Sequence, residues 1–259
     1  MSWATRPRTV PPSPRKQKMP ESQQHVLITG AAGFIGSYLR RLWGPRYRLR
    51  LADIKPVENL QDHEESVTLD VADLDAFKAA CKGIDTVVHL AADPSMQADF
   101  YASLLQRNII GGYNGFEAAR LAGCKRLVFA SSINAVLGYG GKEAVEWDAP
   151  VFPQNVYGAT KCWGEALARV YSDQHGLSCI CVRIGGARYA PKQDEDPDRV
   201  HMGLSARDGA QLLGLCVDAK DIDFAIVHGV SGHRKTWLSL EHTKELLGYA
   251  PEDGTNFIE

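Results

Sequence analysis

The chain has 259 residues, a formal net charge of −2, and 44% hydrophobic against 23% charged residues. This is the profile of a globular protein large enough to bury a core without disulfide or metal staples. The near-neutral charge argues against a nucleic-acid binder, and no run of about 18 apolar residues exists that would cross a membrane.

The first 24 residues hold five of the thirteen prolines and five basic residues against Glu21 alone. They read as a disordered basic tail without the apolar stretch of a secretory signal. Met19 stands just before the first strand, and residues 1–18 are expected to be dispensable. From His25 the pattern changes. A strand is expected over 25–29, then a glycine cluster and a helix to about Trp43. Strands follow at 47–52 and 66–69, a helix at 73–81, a strand at 84–90, a long helix at 100–122 and a strand at 126–130. Residues 155–175 form a helix stopped by Gly176, and 177–182 a strand. Strands alternating with helices of this length indicate an α/β fold with a doubly wound parallel sheet. Only 76 residues follow Arg183. They predict a helix capped by Ser205, with Asp208 at the capping-box position, a strand at 224–230 and a helix at 240–247 closed by Gly248. Residues 25–259 thus read as one domain, with 184–259 as a small substrate lid.

The six cysteines form no C-x-x-C pair. They are read as reduced thiols of a cytoplasmic protein, with no metal site implied.

The sequence Thr29-Gly30-Ala31-Ala32-Gly33-Phe34-Ile35-Gly36 places G-x-x-G-x-x-G between a strand and a helix. Glycines there let the backbone turn and approach a pyrophosphate, whose charge sits on the helix N-terminus. Asp53, 23 residues after Gly30, ends the second strand. A carboxylate at that point accepts the adenosine ribose hydroxyls and repels a 2′-phosphate, so NAD is expected over NADP; Lys55 works against that preference. Asp70-Val71 and Leu90-Ala91-Ala92 fall at the carboxyl edge of the next strands, where an aspartate meets the adenine amino group and small residues let the cofactor lie close.

Tyr157-Gly-Ala-Thr-Lys161 puts a phenol and an ammonium on one face of a helix. A tyrosine pKa of about 10 is too high for a base at neutral pH. A neighbouring Lys⁺ and a positive nicotinamide are expected to lower it. Ser132, at the end of a buried strand, is placed to hold a substrate hydroxyl while Tyr157 removes its proton.

With these residues the chain resembles the short-chain dehydrogenase/reductase superfamily, in its extended, epimerase-like branch. His89-Leu-Ala-Ala92, Ser131-Ser132, Arg183-Ile-Gly185 and the closing Leu247-Gly-Tyr-Ala-Pro-Glu-Asp253 carry the same resemblance. Within the branch it looks most like the compact NAD-dependent sugar dehydrogenases, namely uronate dehydrogenase and archaeal relatives that oxidise glucose 6-phosphate. A lid of 76 residues encloses a free sugar more easily than a nucleotide-sugar. The resemblance implies a Rossmann strand order, NAD as cofactor, oxidation of a sugar at its anomeric hydroxyl to a lactone, and a homo-oligomer. It adds Phe34, Ile35, Ile54, Asn108 and Ile184 to the cofactor contacts, with Asn108 also anchoring a proton-carrying water. It adds Ser95 and Arg199 to the substrate side.

One departure stands out. The family's Ser-Ser-Asn-His reads Ser131-Ser132-Ile133-Asn134 here, and Ile133 cannot make the sugar hydrogen bond that the asparagine makes. Arg199 lies near the carboxylate-binding arginine, about one residue off in its spacing to Leu204-Ser205; Arg188 and His201 are rival anion contacts. Two other readings remain. One is an epimerase or dehydratase that retains NAD and uses the same catalytic residues. The other is a non-catalytic NAD-binding protein, against which an intact Tyr157 and Lys161 speak.

Overall fold

The computed structural model describes residues 23–140, 144–188, 190 and 200–254. Apolar runs such as Thr86–His89 (TVVH) and Ser178–Ile184 (SCICVRI) become strands buried almost throughout, as parallel strands covered on both faces must be. The strands are β1 (His25–Thr29), β2 (Arg48–Asp53), β3 (Glu64–Thr68), β4 (Thr86–His89), β5 (Arg126–Ser132), β6 (Ser178–Ile184) and β7 (Phe224–Gly229). They form one parallel sheet in the order β3-β2-β1-β4-β5-β6-β7. This is the expected Rossmann order. Its direction of growth reverses between β1 and β4, and a crevice opens there at the carboxyl ends.

Side chains alternate across the sheet. Val26, Ile28, Val88, Val128 and Val182 pack on one face with Leu39, Leu212 and Leu213. Those partners come from α1 (Phe34–Trp43) and α5 (Ala206–Asp218). Leu27, Val87, Leu127, Cys179 and Cys181 pack on the other face with Phe77, Phe116 and Leu167. These belong to α2 (Leu74–Ala80), α3 (Gly111–Ala122) and α4 (Val156–His175). A short α6 (Glu241–Leu247), closed by Gly248, ends the regular structure.

Beyond strand ends that shift by one or two residues, three departures have a physical reason. β3 begins two residues early, because an edge strand with only half-buried side chains lacks an apolar signal; Glu64 is held there by Arg40, Nε to Oε1 at 2.8 Å. The helix over 100–122 is continuous, but Phe100–Ile110 is a π-helix that passes into α3 at Gly111, whose N–H donates to Gln106 O. The capping box at α5 is half made. The Ser205 hydroxyl accepts from the Asp208 N–H at 3.1 Å, yet the Ser205 N–H donates to Ser231 Oγ. The buried Asp208 carboxylate instead accepts from the N–H groups of Glu252 (2.7 Å) and Asp253 (3.2 Å), so it ties the chain after α6 down onto α5. Burial pushes its pKa up.

Candidate active site

The glycine loop is a cradle that only glycine fits at two points. Gly30 has φ +70°, and a Cβ there would lie 2.9 Å from Ala91 N; at Gly36 it would lie 2.6 Å from Ala31 Cα. The loop therefore presses onto the Leu90–Ala91 backbone, closing the crevice floor between β1 and β4. Gly33 caps α1 with no side-chain hydrogen bond, and the first turn holds no acidic residue. That leaves the positive helix end for an anion. Asp53 Oδ2 accepts from the Ala32 N–H at 3.0 Å and Oδ1 from the Lys55 N–H at 3.1 Å. Each oxygen keeps a lone pair for a ribose hydroxyl. Ile54 is exposed beside it. Asp70 Oδ1 accepts from the Ala72 N–H, and the Val71 carbonyl accepts from Asn114. His89, buried at the end of β4, bonds Thr29 through Nδ1 at 2.8 Å. Burial pushes its pKa down to about 3, so a neutral imidazole joins the two strands at the crevice.

On the opposite wall, Ser132 ends β5. Its Oγ accepts from both the backbone N–H and the side-chain amide of Asn134, each at 3.1 Å. Asn134 Oδ1 accepts from Asn155 at 2.8 Å, and Asn155 Oδ1 caps α4 at the Gly158 N–H. A continuous relay of hydrogen bonds thus fixes Ser132 against the first turn of α4, which carries Tyr157. Asn134 therefore turns inward, while the neighbouring Ile133 packs into the core at 8% exposure. Lys161 is buried one turn beyond Tyr157. Its Nζ donates to the Ala130 carbonyl at 2.8 Å and lies 5.5 Å from the Tyr157 ring centre.

Burial dominates the electrostatics of this corner. It raises the Tyr157 pKa; the Ser132 hydroxyl pulls it back and the Asp93 carboxylate adds to the rise. It pushes the Lys161 pKa down to about 8. The expected lowering of the phenol's pKa by Lys161 is not seen in the protein's own groups: burial sets the direction at both, raising Tyr157 and lowering Lys161.

Asn108 sits in the π-helix facing this corner. It donates to Asp93 O (3.1 Å) and Thr160 Oγ1 (3.0 Å) and accepts from the Asp93 N–H (2.8 Å). Both N–H donors are engaged, so it clamps the loop after β4 to α4, and only a lone pair of Oδ1 remains to anchor a water. Ser95 is exposed on that loop, its N–H donating to Asp93. Ile184 ends β6 in register with Ser132. Arg199 lies outside the described residues. Of the rival anion contacts, His201 is buried and stacked on His233 at 3.9 Å, whereas Arg188 lies over the ring of Phe34. No group of three metal-ligating side chains occurs among the described residues.

Residues 26–208 match the NAD dependent epimerase/dehydratase family. The chain belongs to that family. A uronate dehydrogenase of Pseudomonas putida is 35% identical over 232 residues, 89% of this chain and 84% of that protein. An NAD-dependent glucose-6-phosphate dehydrogenase of Haloferax volcanii is 34% identical over 90% of this chain and 94% of its own length. A solved uronate dehydrogenase from Agrobacterium tumefaciens, a mutant complexed with NAD, superimposes with a TM-score of 0.82 at 35% identity. It covers 91% of this chain and 87% of that one.

This member of the epimerase/dehydratase family also holds a group that the motifs do not reveal. Arg183 on β6 grips Glu165 through two bonds of 2.9 Å, and Glu165 Oε1 accepts from the Ser131 hydroxyl at 2.6 Å. Arg183 also donates to the Trp147 carbonyl. Both charged side chains are almost wholly buried. Glu165 follows Lys161 by one helical turn, as Lys161 follows Tyr157, so one stripe of α4 carries phenol, ammonium and carboxylate. A signal was present: an arginine within an otherwise apolar buried strand requires a partner.

Proposed function

We propose that the protein is an NAD-dependent dehydrogenase that oxidises a free sugar, uronic acid or sugar phosphate at its anomeric hydroxyl to a lactone. The observation that carries this reading is the convergence of Ser132, Tyr157 and Lys161 across the crevice from the glycine cradle. Relatives named as sugar dehydrogenases span nearly the full length of both chains.

The loop suits a dinucleotide: Gly30 and Gly36 let it fold tightly against Ala31 and Ala91, and it delivers an α1 N-terminus with no capping side chain and no first-turn acid. Gly30, Gly33 and Gly36, with Phe34 and Ile35 in the first turn, would take the diphosphate. Asp53 and Ile54 would take the adenosine ribose, and Asp70 with Val71 the adenine. Leu90, Ala91 and Ala92 would line the path to Lys161 and Ile184. When bound, NAD supplies the hydride acceptor.

Because two N–H groups of Asn134 engage the Ser132 oxygen, the Ser132 hydroxyl proton is left to donate toward the substrate oxygen or the phenolate. Tyr157 acts as general base at its phenol oxygen. Lys161, fixed by Ala130, keeps N–H donors for the nicotinamide ribose and for the phenolate. Asn134 and Ser95 would form the substrate side, with Ile133 packed into the core next to Asn134; Arg199, outside the described residues, is the further candidate there. Exposed Tyr101, Val156 and Trp163 on the π-helix and α4 support self-association, and six free cysteines support a cytoplasmic setting.

The test is NADH absorbance on mixing purified protein and NAD with uronic acids, aldoses and sugar phosphates. Net NADH with at least one class is expected. Interconversion of epimers without net NADH would favour the epimerase reading, and tight NAD binding with no turnover on any class would favour a binding protein.

A further inference from the structure

We infer that Arg188 is a cofactor-binding residue, a clamp on the diphosphate of the dinucleotide from the lid side of the crevice. The inference rests on the NAD reading above. Arg188 lies four residues beyond the end of β6, and its guanidinium sits 4.6 Å from the centre of the Phe34 ring. Phe34 is the first residue of α1, next to Gly33, and its ring is fixed edge-on against Tyr38 at 5.8 Å. Arg188 therefore reaches from the edge of β6 across to the glycine loop that begins beyond β1. The segment that carries it is anchored: the Gly185 N–H donates to Gly229 O at 2.8 Å and the Gly186 N–H to Met202 O at 2.6 Å.

The electrostatics of this placement point to an anion. The N-terminus of α1 carries the positive end of the helix dipole, with no acidic residue in its first turn and no capping side chain. A guanidinium over Phe34, the first residue of that helix, adds a second positive charge beside the same helix end, so an anion placed there would meet both. The cation–π contact holds the guanidinium carbon over the Phe34 ring, and an arginine's planar N–H fork suits phosphate oxygens. The diphosphate that the glycine cradle fits would lie at that point. A sugar oxidised beside Tyr157 would instead meet the β5–α4 wall, which carries Ser132 and Tyr157.

The experiment measures dissociation constants of NAD, ADP-ribose and adenosine, by calorimetry, for the native chain, Arg188→Met, Arg188→Lys and Phe34→Leu. Arg188→Met is expected to weaken NAD and ADP-ribose about tenfold, the scale of one exposed charge-assisted contact, and to leave adenosine unchanged. Its NAD affinity should also depend less on salt. Arg188→Lys should recover part of the loss, and Phe34→Leu, which removes the platform but not the charge, should lose less than Arg188→Met. NAD affinity within twofold of native in Arg188→Met overturns the inference while leaving the cofactor reading in place, all the more clearly if KM for a sugar phosphate rises instead. A native chain that binds no NAD overturns the cofactor reading itself.

Discussion

The two walls of the crevice are made of different material. On the β1–β3 side, the groups facing a ligand are backbone N–H donors and carboxylates open to solvent. Asp53 and Asp70 are steadied by backbone N–H groups from neighbouring loops. On the β5–α4 side, Ser132, Tyr157, Lys161, Glu165 and Arg183 are all at least nine-tenths buried, and most are held by other side chains. The first wall recognises by shape and solvated hydrogen bonds, each modest and replaceable. The second works in a low dielectric, where charge is expensive and a missing partner leaves a large penalty. Binding a common cofactor needs only the first kind of wall; moving a proton from a weak acid needs the second.

The largest effect should come from the buried wall. Tyr157→Phe is expected to lower kcat by about 10²–10⁴-fold while NAD affinity, measured by titration, stays within twofold. A parallel loss of NAD binding would show that the two walls are not separable. Next, Glu165→Leu leaves Arg183 buried without its partner, which costs about 3–5 kcal/mol, read as a lower urea midpoint. The double variant Glu165→Leu/Arg183→Met should recover most of that stability, since no charge is then stranded.

On the open wall, Asp53→Ser should weaken NAD about ten- to a hundredfold and narrow its advantage over NADP, with the melting temperature hardly moved. Equal native affinity for both cofactors would remove Asp53 as the discriminator. The smallest effect is a pH dependence of stability. The folded Lys161 titrates at about 8 against about 10.4 in an unfolded chain. Between those values the unfolded state binds the extra proton, so stability rises with pH through that window. Lys161→Met should lose this rise, and urea midpoints at a series of pH values will show it.

The open wall was legible in the sequence because its logic is spacing. Gly30, Gly33, Gly36 and Asp53 stand at intervals set by one turn and one βαβ unit, and the structure brings them together. Tyr157 and Lys161 were legible for the same reason, as neighbours on a helix. Their titration was not, because it depends on how deeply residues distant in the chain enclose them. Asn108 was placed near the site, but its saturation by Asp93 and Thr160 depends on a π-helical turn that apolar periodicity does not distinguish from an α-helix. Ile133 marked a change in the motif, yet the residue that turns toward Ser132 is Asn134, since a 3-10 turn at Ile133–Ala135 sends the isoleucine into the core.

The strand order also bears on how the chain is made. Synthesis delivers β1 first, then β2 and β3 to one side of it; β4 returns to the free side of β1, and β5, β6 and β7 each add to the strand just before. After that one return, each new strand meets an edge laid down immediately before it, which keeps pairings short-range for a parallel sheet. The cofactor wall can therefore assemble while the catalytic wall is still unmade. Until β4 arrives, the apolar β1 presents an open edge that invites pairing with another chain. Slowing elongation shortly before β4 emerges would lengthen that exposure, and aggregation of the nascent chain should rise there more than at any later strand.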